Sequence, residues 1–243
     1  MALNQETKVK GVVDIVFLLD VSGSMQPCLD ALKANIAVFM DSLTTKNPNN
    51  QTPVKDWRGA VVGYRDVGAD ATWFEDNPFV RDANDLKAQL NRLKAEGGGD
   101  EPESLLDALF KVISKGQTDK GGQEDAQRWR YRSDAARVVV IFTDASFKPT
   151  LAISEAKGGT VSDIVNLCHS NRIILSIFAP DMPCYNDLAA IDKSEWESFS
   201  FDKADEQGAQ KALVAFTANQ DNFKKTLEQL AKSVSKSAAA ETL

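Results

Sequence analysis

The stretch "DIVFLLDVSGSM", residues 14–25, decides how the rest of the chain is read. Ile15 to Leu19 is an unbroken apolar run, the pattern of a strand buried on both faces. It stops on Asp20, Ser22 and Ser24, oxygen-bearing side chains spaced by two, with Gly23 letting the backbone bend between them. One carboxylate and two hydroxyls are hard donors of the kind magnesium or manganese accepts. No histidine or cysteine lies in this run to suit zinc or copper. The plainer alternative is that Asp20 and Ser22 cap a helix starting near Pro27.

Working outward, strand-like and helix-like segments alternate. Leu29, Leu32, Ile36, Phe39 or Met40, and Leu43 recur at helical spacing until the polar run Thr44 to Pro53. Trp57 to Tyr64 reads as a second strand and Ala71 to Phe74 as a short third at the sheet edge. Leu86, Leu90 and Leu93 mark a helix, and Leu105, Leu106, Leu109, Phe110 and Ile113 mark the next. Lys115 to Asp134 is polar and predicts a long exposed excursion. Arg137 to Phe142 is another buried strand, running on to Asp144. Val161, Ile164, Val165 and Cys168 predict a helix, Ile173 to Ala179 a strand, and Asn186 to Ile191 a short helix. Ser198 to Phe201 is a weak strand, and Phe223, Leu227, Leu230 and Val234 face a last helix. The alternation predicts an α/β fold: a doubly wound, mostly parallel β-sheet flanked by helices. We read a single domain over residues 1–243, its core from 12 to 234, with a flexible tail at 235–243.

Composition narrows the function classes. With 43% hydrophobic and 26% charged residues the chain is globular in type. Its 28 basic against 35 acidic residues, a net charge of -7, make it a poor generic binder of nucleic acid or anionic membrane; only Arg128, Arg130 and Arg132 gather locally. Cys28, Cys168 and Cys184 are odd in number, lack CxxC spacing and read as reduced thiols. "MALNQETKVK" has no apolar signal core and no stretch is long enough to span a membrane, so the expectation is a cytoplasmic protein. His169 is the one histidine, near a predicted helix C-terminus, which leaves Ser-His or Cys-His catalysis little to work with. Trp57, Trp73, Phe74 and Trp129 read as packing residues, as does Cys28.

Two further acidic loops join the first. "FTDAS" puts Asp144 just beyond a buried strand, where an acid needs a partner. "GGGDEPES", residues 97–104, places Asp100, Glu101 and Glu103 at a glycine-rich turn before a helix. There the plainer reading is a capping box, Asp100 with Glu103 three residues on and Pro102 in the first turn. Ligands of such sheets lie beyond the carboxyl ends of the strands. Three acidic loops meeting there repel one another unless a cation offsets them.

"DIVFLLDVSGSM", "GGGDEPES" and "VVVIFTDAS", in that order, resemble the three loops of a von Willebrand factor A domain, over a span from Val12 to the last helix. The metal-ion-dependent adhesion site of that family combines a DxSxS loop, a second-loop residue that is usually threonine, and a third-loop aspartate. The resemblance implies that Asp20, Ser22 and Ser24 are first-loop ligands or their helpers and that Asp144 is the third-loop acid, around Mg2+ or Mn2+. No threonine follows the glycines; Asp100 stands in that place, with Glu103 as the alternative. "GYRD" (63–66) together with "GGGDEPES" resembles the subgroup found beside atypical alpha-kinases and in some extracellular matrix proteins. The implied function is a metal-dependent protein–protein interaction module, not an enzyme. Its partner would offer an Asp or Glu to the metal, and the module itself would be a monomer. The implied setting is an adaptor or regulator in bacterial signalling, stress or defence. The alternative is a magnesium-dependent phosphohydrolase using strand-end aspartates. Against it, Ser22 stands where the phosphatases with an aspartyl nucleophile carry a second aspartate.

Overall fold

The apolar run at 15–19 forms the middle of strand β1 (Val12–Asp20), buried from Val13 onward. The structure, a computed structural model, describes residues 11–46, 53–99 and 101–239. After β1 come α1 (Gln26–Thr44), β2 (Asp56–Tyr64), β3 (Phe74–Glu75), α2 (Ala83–Arg92), α3 (Leu105–Ile113) and β4 (Ala136–Phe142). The chain continues through α4 (Val161–Asn171), β5 (Ile173–Pro180), α5 (Asn186–Ala189), β6 (Glu195–Phe199), α6 (Gly208–Ala218) and α7 (Gln220–Ala239). The strands form one sheet in the order β3-β2-β1-β4-β5-β6, all parallel except β3, which runs antiparallel to β2 at the edge. This is the doubly wound α/β sheet expected from the alternation.

Residue alternation along β1 sorts the helices onto two faces. Val13, Ile15, Phe17 and Leu19 pack with α1, α2, α6 and α7, while Val16 and Leu18 pack with α3, α4 and α5. Burial on both faces is why these strands read as continuous apolar runs. Winding changes direction between β1 and β4, and their register pairs Leu19 with Phe142. Asp20 and Thr143 therefore leave the sheet side by side, at the switch point where such folds open a crevice.

The opposite edge of the sheet is closed by charge. Asp14 is fully buried and accepts hydrogen bonds from Arg58 Nε at 3.0 Å, Arg58 Nη2 at 2.7 Å and Arg130 Nε at 2.7 Å. Arg58 also donates to the carbonyls of Asp125 and Arg128, both at 3.0 Å, and Trp129 Nε1 donates to the Val112 carbonyl at 2.9 Å. The excursion at 115–134 is therefore pinned at its root, with Trp129 and Arg130 buried and only the segment around 119–128 exposed. Arg130 belongs to this network rather than to a basic surface.

Four other readings change. The third strand is Phe74–Glu75 rather than 71–74, and the last strand is Glu195–Phe199 rather than 198–201. Helix α6 went unread because Leu213 is its only large buried apolar residue. Residues 235–239 are not a loose tail. Helix α7 runs to Ala239, Ala238 lies in the core, and its carbonyl accepts from Gly11 N–H at 3.0 Å.

Candidate metal centre

Asp20 ends β1 with both carboxylate oxygens already engaged. Oδ1 accepts the Ser22 backbone N–H and Oδ2 the Thr143 hydroxyl, each at 2.9 Å. This small turn aims Ser22 and Ser24 outward: their hydroxyls lie 3.2 Å apart, and Ser24 Oγ donates to Asp144 Oδ1 at 3.1 Å. Neither capping alternative survives. Helix α1 starts after Met25 with no side-chain cap, and Ser22 makes none to the short 3-10 turn it precedes.

The second loop closes over the first. Gly23 N–H donates to the Gly97 carbonyl at 3.1 Å, and Gly98 N–H to Asp70 Oδ2 at 3.0 Å. Gly98 has φ +77°, and a Cβ there would come within 2.6 Å of the Ser22 Cβ. Only glycine permits that approach. Helix α3 begins at Leu105, so Glu103 is not part of a cap; it bridges to the third loop, donating its N–H to Ser146 and accepting from Lys148 N–H, both at 2.9 Å. The expected ligand Asp100 lies outside the described residues.

Ser22, Ser24, Glu103 and Asp144 line one cleft of about 240 Å³, while Asp20 lies beneath them as the anchor. Glu101 and Glu206 also line it, and among the described lining residues there is no lysine, arginine or histidine. Glu101 is partly engaged, accepting the Ser146 N–H at 2.6 Å. Glu103 is 4% exposed, yet its Oε2 is buried without a hydrogen-bond partner. Burial, then the negative charges of Asp20, Asp66 and Asp144, push the Glu103 carboxyl up to about 8. Burial and then Asp20 push Asp144 up to about 7; burial also raises Asp20, against its hydrogen bonds from Ser22 and Thr143. A buried carboxylate oxygen left unpaired costs about 1–3 kcal/mol or more. A hard divalent cation satisfies it, and the all-oxygen donors suit magnesium or manganese. No three acid, histidine or cysteine side chains among the described residues gather closely enough to hold an ion alone, so among these residues such a site would draw on the serine hydroxyls as well.

Three supports lay outside the sequence reading. Thr143 directly precedes Asp144, and the hydroxyl beside the acid was its only signal. "GYRD" proves to be scaffold. Arg65 donates to the carbonyls of Thr72, Lys94 and Glu96 at 2.8–2.9 Å and to Glu75 at 2.7 Å. Asp66 accepts the Ser104 hydroxyl at 2.7 Å and pairs with Lys148. Glu206 carried no local signal, because it precedes the helix that went unread.

A family profile described as the von Willebrand factor type A domain matches residues 15–146, which contain Asp20, Ser22, Ser24, Asp100, Glu103 and Asp144. A 133-residue segment, 55% of this chain, is 23% identical to the alpha-protein kinase vwkA of Dictyostelium discoideum. It covers 18% of that protein, so the chain spans less than a fifth of its relative's length. Two crystal forms of proximal thread matrix protein 1 from the mussel byssus are 13% and 14% identical to this chain, with TM-scores of 0.49 and 0.47. Those alignments cover 87% and 91% of this chain and 48% and 47% of the mussel chains.

Proposed function

The chain belongs to the von Willebrand factor type A domain family, and from that premise we propose that it is a cation-dependent protein-binding module. The cleft beyond β1 and β4 would be its metal-ion-dependent adhesion site. The observation that carries this reading is the buried, unpartnered Oε2 of Glu103, a residue that lines one cleft with Ser22, Ser24 and Asp144. In this reading Ser22, Ser24, Glu103 and Asp144 hold Mg2+ or Mn2+, Asp20 orients the serines, and Asp100 stays close enough in sequence to assist. The bound ion supplies a positive centre at which an Asp or Glu of a partner protein adds a direct ionic contact. The chain's own residues position that contact and exclude water around it. The likeness to part of an alpha-protein kinase favours a signalling setting. The free thiols of Cys28, Cys168 and Cys184 favour a reducing compartment such as the cytoplasm, and no described helix is long and apolar enough to cross a membrane.

Isothermal titration of metal-stripped protein with Mg2+ and Mn2+ tests the site. One saturable site is expected, lost in the double variant Ser22→Ala, Ser24→Ala. Failure of both ions to bind the wild-type protein would sink the proposal.

A further inference from the structure

The cleft has a fourth wall that the three loops do not supply. The turn before α6 brings Glu206 and Gln207 to it, and the first turn of α6 adds Ala209 and Gln210. This turn is firmly built. Asp205 accepts Gln207 N–H on its carboxylate at 3.0 Å and Gly208 N–H on its carbonyl at 2.8 Å, and it pairs with Lys211 at 2.5 Å. Gly208 presses so closely on the Asp202 carbonyl that a Cβ would come within 2.1 Å of it. Glu206 is thereby held at the rim, exposed, with no hydrogen bond or ion pair to another described residue.

An acid held beside three other carboxylates, with no basic residue among the described lining of the cleft, gains nothing from these neighbours. Lys148 is engaged by Asp66, and Arg65 by Glu75. What would attract Glu206 inward is a cation below it. An independent feature of the same cleft points to that cation: the buried, unpartnered Oε2 of Glu103.

We propose that Glu206 is an internal carboxylate for the cleft cation, occupying in the free protein the position that a partner's acid takes on binding. This rests on the metal-dependent reading of the site. An incoming Asp or Glu must then displace Glu206, and its apparent affinity falls by the fraction of time the position is closed. Stray carboxylates are rejected, while a partner with contacts elsewhere on the rim can still compete.

The experiment uses Mn2+ as the ion and acetate as the probe acid, comparing wild-type protein with Glu206→Ala. Glu206 is exposed in a turn, and equal thermal melts without metal would verify that the fold is unchanged. Water-proton relaxation reports the exchanging waters on bound Mn2+. The variant is expected to bind Mn2+ more weakly, to show the relaxation of one additional water, and to take up acetate at roughly tenfold lower concentration, as for a position closed about 90% of the time. If both proteins bind Mn2+ with the same relaxation and the same acetate response, the role of Glu206 is overturned. If the wild-type protein binds no Mn2+, the metal site itself fails, and the inference with it.

Discussion

Glu103 and Asp144 line the same cleft with carboxyls pushed up to about 8 and about 7. In the unfolded chain both return to about 4. Between those limits the folded, metal-free protein holds protons that the unfolded chain has released. Its stability therefore falls as pH rises from about 4 to about 8, and levels off above. A divalent cation replaces those protons, so Mg2+ affinity should rise across the same range, with proton release detectable by titration in buffers of different ionisation enthalpy. Denaturant melts of EDTA-treated protein that show stability climbing with pH would contradict this. Glu103→Gln separates the two roles of the residue. At neutral pH it should stabilise the metal-free protein by about 1–3 kcal/mol, because folding no longer has to protonate a buried carboxylate, and weaken Mg2+ binding by at least roughly tenfold. Unchanged Mg2+ affinity would hand the second-loop role to Asp100. Ser22, Ser24 and Asp144 were legible because they follow buried strands, whose ends apolar runs mark clearly. Ruling Glu103 out as a capping residue needed the first residue of α3. A capping box and a ligand loop look alike in sequence, and only the bridge between Glu103 and Phe147 separates them.

At the scale of elements, the site depends on a loop that has no regular structure of its own. Arg65 fastens residues 94–96 from behind through the Lys94 and Glu96 carbonyls and ties them to the Thr72 carbonyl, so it acts on the cleft without lining it. Arg65→Ala leaves those carbonyls and Glu75 without their donor and should cost about 3 kcal/mol or more. Mg2+ affinity should fall with it, because Gly97 and Gly98 lose their backing. A variant that melts early but binds Mg2+ like wild type would show that the loop holds its shape unaided. The motif holding Arg65 was visible in sequence, whereas its purpose was not, since main-chain acceptors leave no mark on residue identity. Strands β1, β2, β4 and β5 were plain for the opposite reason: burial on both faces writes itself into composition. The short edge strand, β6 and α6 are half-covered or built on small residues, and their patterns fade accordingly.

Across the whole molecule the two ends of the sheet are chemically opposed: a cleft whose described lining holds acids and no basic residue at one, acids saturated by arginine at the other. Mg2+ at about 100 times its dissociation constant should add about 2.7 kcal/mol of stability, raising the melting temperature by roughly 5–10 °C. A melt indifferent to Mg2+ and EDTA would mean that the ion does not bind the folded state. Asp14→Ala should destabilise by about 3–5 kcal/mol by stranding Arg58 and Arg130, yet leave Mg2+ affinity unaltered in whatever protein remains folded. The hydrogen bond from Gly11 N–H to the Ala238 carbonyl has a consequence of another kind. The described fold thus has its first residue beside its last helical turn, so residues 11–239 can be spliced into a surface loop of a host protein without prising the host apart. The same adjacency makes a rearranged chain attainable: joined at that seam by a short linker and opened at Gly121–Gly122, both exposed, it would carry all three loops of the cleft uncut.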